Sequence, residues 1–188
     1  NAALKSGGST PTIVACTEEY NGSNWSTGGA LITARLTLNQ ETIGTQNAGL
    51  IFGGQTPTIV ACTEEYNGST WSACSDSPLA LCNTAAMGSA QNALMGGGSG
   101  PAGCVGTSYY YTQPYIPPFT CNLPYISTYS TFAQLSTNRY QMGSSGTTGA
   151  NALAFGGSTN PAATAATEEW NGSSWATGGN LIIARRHN

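Results

Sequence analysis

Short apolar runs alternate with polar, glycine-rich turns along the whole chain, and the alternation predicts strands. The run AGLIFGG, residues 48–54, is an apolar stretch closed by two glycines, where a backbone can turn sharply or pass close to another strand. The run IVACTEEY, residues 59–66, is rich in β-branched and aromatic residues and is followed at once by Asn67-Gly68, a pair suited to positive φ in a tight hairpin. A return strand then begins at TWS. The pairs Tyr20/Trp25, Tyr66/Trp71 and Trp170/Trp175 flank such turns and read as packing between sheets, or as a sugar-stacking platform where a ring stays exposed.

These elements recur. NAALKSGG at Asn1, NAGLIFGG at Asn47, NALMGGG at Asn92 and NALAFGG at Asn151 open four units, at spacings of 46, 45 and 59 residues. TEEYNGSNW at Thr17, TEEYNGSTW at Thr63 and TEEWNGSSW at Thr167 mark the middle of three of them. The units span 1–46, 47–91, 92–150 and 151–188, with an insertion in the third. Repeats of 40 to 50 residues with β character predict propeller blades, because one small sheet buries both faces only when neighbours stack on it. The expected class is therefore all-β, with the blades closing within the chain or with a neighbouring subunit. The start lacks the charged and apolar regions of a signal peptide and matches the middle of a repeat, which reads as a processed or incomplete chain.

Composition narrows the function classes. Only 7% of the 188 residues are charged and the net charge is −3, so there is no basic footprint for nucleic acid and no polybasic membrane patch. No apolar run is long enough to span a bilayer as a helix. Twenty-five glycines point towards disorder, but 39% hydrophobic residues with nine tyrosines, four tryptophans and four phenylalanines argue for a packed β protein.

The order arginine, Gly-Gly, aromatic, tryptophan reads Arg35, Gly53-Gly54, Tyr66, Trp71 in one copy and Arg139, Gly156-Gly157, Trp170, Trp175 in another. The first copy keeps Gly7-Gly8, Tyr20 and Trp25. The third keeps Gly97-Gly98 and Tyr110 but lacks the arginine and the tryptophan. On these residues nearly the whole chain resembles the Kelch family of β-propellers, with wording nearest to repeats of phage and environmental microbes. The resemblance implies the fold and says little of function, since propellers host many activities.

Catalytic chemistry finds little support. The one histidine, His187, lies at the end of the chain, which leaves no base for a serine or cysteine triad and no ligand set for copper. The adjacent pairs Glu18-Glu19, Glu64-Glu65 and Glu168-Glu169 are the acidic constellations. Neighbours on a strand point to opposite faces, so a pair cannot work as one acid/base couple. Arg35, Arg139 and Arg185 share a repeat position, and where that arginine is missing, read at Ala86, the following unit reads Thr107-Ser108-Tyr109 without glutamates. This co-occurrence predicts one Arg–Glu pair per blade: Arg35 with Glu64 or Glu65, Arg139 with Glu168 or Glu169, and Arg185 with Glu18 or Glu19 of the same or an adjacent chain.

Cys74 and Cys82 bracket one short loop and Cys104 and Cys121 bracket the insertion, so both pairs are candidate disulfides. Such bridges would place the protein outside the cytosol or on a virion; as free thiols, Cys16 and Cys62 are small buried apolar residues. Asn21, Asn24, Asn67 and Asn171 fit the N-glycosylation sequon, and three of them also supply the turn's Asn-Gly. The third unit carries Tyr109, Tyr110, Tyr111, Tyr115, Phe119, Tyr125 and Tyr129 among prolines and without a charge. It reads as a recognition surface for carbohydrate or protein, or as a modified blade or subunit-packing surface. The expected function is a non-catalytic extracellular or virion-surface structural and binding module, without metal or cofactor. Its partners would be copies of itself, other surface proteins or carbohydrate. The alternatives are a fibre subunit whose repeats serve assembly, and the non-catalytic part of a glycan-acting enzyme.

Overall fold

The computed structural model describes residues 2–36, 42–113, 128–148 and 151–186. Among these, every regular element is a strand, and four antiparallel sheets lie as the blades of a four-bladed β-propeller arrangement. Blade 1 holds β1 (Ala3–Ser6), β4 (Thr17–Tyr20) and β5 (Trp25–Thr27), with a small side hairpin of β2 (Ser9–Thr10) and β3 (Thr12–Ile13). Blade 2 is β6 (Ile43–Thr45), β7 (Ala48–Phe52), β8 (Thr63–Tyr66) and β9 (Trp71–Ala73) in that order across the sheet. Blade 3 is β10 (Ala85–Gly88), β11 (Asn92–Gly100), β12 (Gly103–Thr112) and β13 (Thr128–Phe132). Blade 4 is β14 (Gly143–Thr148), β15 (Asn151–Phe155), β16 (Thr167–Trp170) and β17 (Trp175–Thr177). The repeated Asn-Ala wording thus opens the second strand of each four-stranded sheet, so the first strand of each of these blades belongs to the sequence unit before it.

Period-2 alternation decides what each strand face meets. On β7, Leu50 and Phe52 join Met95, Tyr109 and Tyr111 in a core between blades 2 and 3, while Ile51 joins Leu31, Tyr66 and Trp71 between blades 1 and 2. On β11, Leu94 turns to the third junction with Met142, Ala154 and Trp170. Each hydrophobic cluster therefore sits at a blade junction, which is why a single sheet could not be stable alone. Each large ring buried there contributes on the order of 1.5–3 kcal/mol.

The repeated glycines serve a close approach. A Cβ on Gly53, at φ +63°, would lie 2.2 Å from the Leu81 carbonyl oxygen. That segment must come so near because the Leu81 carbonyl accepts the Gly54 N–H at 2.8 Å. The same bond joins Gly8 to Arg35, Gly98 to Arg139 and Gly157 to Arg185.

The turns differ from a two-residue hairpin. Tyr66 pairs with Trp71, leaving a four-residue loop in which Gly68 has φ +91° and Asn67 does not take positive φ. Instead the Asn67 Oδ1 accepts the N–H groups of Ser69 at 3.0 Å and Thr70 at 2.9 Å. An Asn side chain that caps its own turn removes the need for a second left-handed residue.

Candidate functional site

The strand TEEY of blade 2 divides its side chains between two neighbours. Glu64 and Tyr66 face blade 1; Thr63 and Glu65 face blade 3. The Glu64 carboxylate receives a guanidinium N–H of Arg35 and the backbone N–H groups of Ile32 at 2.7 Å and Thr33 at 3.1 Å. Arg35 is fully buried, and its Nη1 also donates to the carbonyls of Gly53 at 2.9 Å and Cys62 at 2.8 Å. Blade 4 repeats the device. Arg139 Nη2 lies 2.7 Å from Glu168 Oε1, Nη1 donates to Ala166 at 2.8 Å, and the Ser136 N–H donates to Glu168 at 2.8 Å. Burial pulls the Arg139 guanidinium below its usual range, and the Glu168 charge acts against that.

The second glutamate of the first two pairs faces the following blade. Glu19 accepts the Tyr66 hydroxyl and the Gln46 side-chain amide, the latter at 3.3 Å. Glu65 accepts the Tyr111 hydroxyl and the Gln113 amide, the latter at 2.6 Å. Two adjacent glutamates therefore serve two junctions, one on each face of the strand.

Register places the third blade differently from its sequence reading. Ser108 pairs with Gly96 as Thr63 pairs with Phe52, so Ser108-Tyr109-Tyr110-Tyr111 stands where Thr63-Glu64-Glu65-Tyr66 stands. Tyr111, not Tyr110, takes the repeat's aromatic position. The missing arginine falls at Leu81 rather than Ala86, because Leu81 makes the backbone bond that Arg35 and Arg139 make. Leu81 and Tyr109 lie in one buried cluster, so an apolar pair replaces the ion pair at this junction. Spacing carries this signal: Arg35 and Arg185 stand 18 residues after Thr17 and Thr167, and Leu81 stands 18 after Thr63. The tryptophan's place is taken by Tyr129, which pairs with Tyr111 as Trp71 pairs with Tyr66 and meets Thr63 Oγ1 at 2.7 Å.

The tyrosines of the third unit accordingly do not form one exposed platform. Tyr109 and Tyr111 are buried on a face that alternation turns into the core, and Tyr129 packs against them. Tyr110 lies on the other face, packed against the junction with blade 4, with its hydroxyl 3.3 Å from Asn92 Oδ1. Tyr115, Phe119 and Tyr125 lie outside the described residues. So does Cys121.

What the fold does assemble is a cleft of about 310 Å³ between blades 2 and 3, on the rim that bears the Asn-Gly turns. Asn47, Asn67, Gln91 and Gln113 line it with amides, beside the Glu65 carboxylate and the Ser72 hydroxyl, and Ala48 and Ala90 add apolar surface. Glu65 is held in place by Tyr111 and Gln113, giving the cleft a fixed acceptor. Sequence reading missed these amides, because they converge from separate segments with no shared spacing. Gln113 immediately precedes segment 114–127 of the insertion.

Other expected sites stand as follows. Cys74 and Cys82 are free thiols, so the expected bridge between them does not form; Cys104 is free as well. The two residues are held apart in role. The Cys74 N–H is bound to Thr63 in blade 2, whereas Cys82 is buried with its N–H on Ser99 of β11 in blade 3. Desolvation pushes the Cys74 thiol up to about 11. Asn21, Asn24, Asn67 and Asn171 are exposed, and the Oδ1 of Asn21 and of Asn171 caps its turn as that of Asn67 does. Arg185 is exposed and makes no ion pair with Glu18 or Glu19 within the chain; its Nε lies 3.5 Å from the Ile183 carbonyl. Among the described residues no group of acids, histidines and cysteines is placed to hold a metal ion, and no helix is long and apolar enough to cross a membrane. No family model and no curated protein matches the chain.

Proposed function

We propose that the protein is a non-catalytic binding module of Kelch-like type that recognises a neutral carbohydrate in the cleft between blades 2 and 3. The observation that carries this reading is the chemistry of the cleft: side-chain amides from two blades converge beside a tethered carboxylate. Amides donate and accept at once, which matches the paired donor and acceptor character of sugar hydroxyls. Glu65 is already engaged by two donors, so it serves as an oriented acceptor rather than as a free acid or base.

An extracellular or virion-surface location belongs to the same proposal. The free Cys74 and Cys82 remove one support for it. The remaining support is the exposure of Asn21, Asn67 and Asn171 on the tips of their turns.

Isothermal titration of the purified chain with a panel of neutral mono- and disaccharides tests the cleft. The expected result is saturable binding that Gln91→Ala and Gln113→Ala each weaken at least about fivefold, since a lost hydrogen bond is worth about 1 kcal/mol. Binding of no sugar in the panel, or binding indifferent to both substitutions, overturns the reading.

A further inference from the structure

A side-chain amide is usually an ambiguous partner, because either its donor or its acceptor end can turn to a ligand. Two polar groups of the cleft between blades 2 and 3 are not free to turn. Glu65 accepts the Tyr111 hydroxyl on Oε1 and the Gln113 amide on Oε2, the latter at 2.6 Å, so its carboxylate is an acceptor in a fixed place. Asn67 lines the same cleft from the turn, and its Oδ1 accepts the N–H groups of Ser69 at 3.0 Å and Thr70 at 2.9 Å. Those two bonds leave the Nδ2 amino group as the end of Asn67 that meets a ligand, and an amino group of this kind only donates. The cleft therefore holds one acceptor and one donor of set polarity.

Its apolar lining is small. Ala90 belongs to the hydrophobic cluster between blades 2 and 3 and Ala48 packs against that cluster, so two methyl groups stand where the cleft meets the core. The Tyr66 side chain packs with Leu31 and Trp71 between blades 1 and 2 and gives no stacking surface here. Apolar contact with a ligand is thus limited to a group about the size of a methyl. The volume of about 310 Å³ is at the lower end of ligand pockets, which suits a single sugar residue.

We infer that the cleft selects a neutral sugar bearing an acetamido group. This inference rests on the carbohydrate reading above and names the class within it. An acetamido group carries one N–H donor, one carbonyl acceptor and one methyl, held in fixed relation by a planar amide. The N–H donates to the Glu65 carboxylate, the carbonyl accepts from Asn67 Nδ2, and the methyl lies on Ala48 and Ala90. Gln91 and the Oε1 of Gln113 remain for the ring hydroxyls. A hydroxyl in place of the acetamido group brings no methyl and leaves the two alanines to water.

Isothermal titration of the full chain with N-acetylglucosamine, glucose, glucosamine and fucose tests the inference. N-acetylglucosamine is expected to bind at least about tenfold more tightly than glucose, since it adds a hydrogen bond to a fixed group and covers a methyl-sized apolar surface. Two variants probe the two halves of the match. Ala48→Val fills the place of the methyl. Asn67→Asp exchanges the donor for an oxygen while keeping the acceptor that caps the turn, so the fold is retained. Each variant is expected to reduce the preference to below about threefold. Equal affinity for N-acetylglucosamine and glucose overturns the inference and leaves the carbohydrate reading standing. So does a preference unchanged in both variants. Tightest binding by glucosamine overturns it too, as attraction of an ammonium to Glu65, and so does fucose equal to N-acetylglucosamine, as a methyl site without an amide. Binding of none of the four also overturns it, and the wider sugar panel then decides whether the carbohydrate reading falls with it.

Discussion

Glu64 is 2% exposed and Arg35 is fully buried, so each depends on the other for its charge to be tolerated. Arg35→Met leaves a carboxylate buried with only two backbone donors, and a loss of about 3–5 kcal/mol is expected in urea unfolding. The double variant Arg35→Leu/Glu64→Tyr copies the Leu81 and Tyr109 pair of the neighbouring junction. It is expected to lose less than the single variant, because an apolar pair of suitable volume replaces a buried ion pair at little cost; a double variant as unstable as the single would show that this junction cannot be repacked. A second residue-scale expectation concerns Cys74. Its thiol is pushed up to about 11, above the 9.0 of an ordinary thiol, so the folded state holds its proton where the unfolded state releases it. This contribution is fully present below pH 9 and is lost as pH rises towards 11. The Cys74→Ser chain should show a shallower fall in melting temperature across that window, measured by circular dichroism.

At the scale of the element, the NGS turn and the Gly-Gly corner are both conformational requirements. Asn67→Ala removes the acceptor for two N–H groups, and a loss on the order of 1 kcal/mol is expected from thermal melts. Gly53→Ala is expected to cost more, about 1–3 kcal/mol, because it combines a left-handed backbone with a Cβ 2.2 Å from a carbonyl that cannot retreat without breaking the neighbouring bond. The wording TEEYNGSxW made these strands and their turn legible from sequence alone. The loop length and the capping role of Asn were not, since an Asn-Gly pair fits either a two-residue or a four-residue turn and only the pairing of Tyr66 with Trp71 selects between them.

For the whole molecule, the strands described on either side of the insertion pair as their counterparts do in blade 2. Tyr111 and Tyr129 pair across β12 and β13 as Tyr66 and Trp71 do across β8 and β9. Replacing residues 114–127 by a short Gly-Ser linker is therefore expected to leave the blade formed, with a melting temperature within a few degrees of wild type. A collapse of the melting transition would show that the insertion carries part of the core. Most of the array's stability lies at junctions, where the three hydrophobic clusters and both buried ion pairs sit, so adjacent blades are expected to unfold together.

The sequence by itself determined the strand content, the blade count and the company Arg35 and Arg139 keep with a glutamate pair, because alternation and repetition are local properties that survive without coordinates. It misplaced the third blade by a residue, because a unit that has lost its marker residues is aligned through its hydrogen bonds, and the absent arginine by five, from Leu81 to Ala86, although Leu81 keeps the spacing from Thr63 that Arg35 keeps from Thr17. Tertiary structure alone decided which partners the two glutamates of a pair meet, that Tyr109 and Tyr111 are core rather than surface, and that four amides distant in sequence share one cleft. Those outcomes depend on which strand face meets which neighbour, and that is fixed only when the sheets stack.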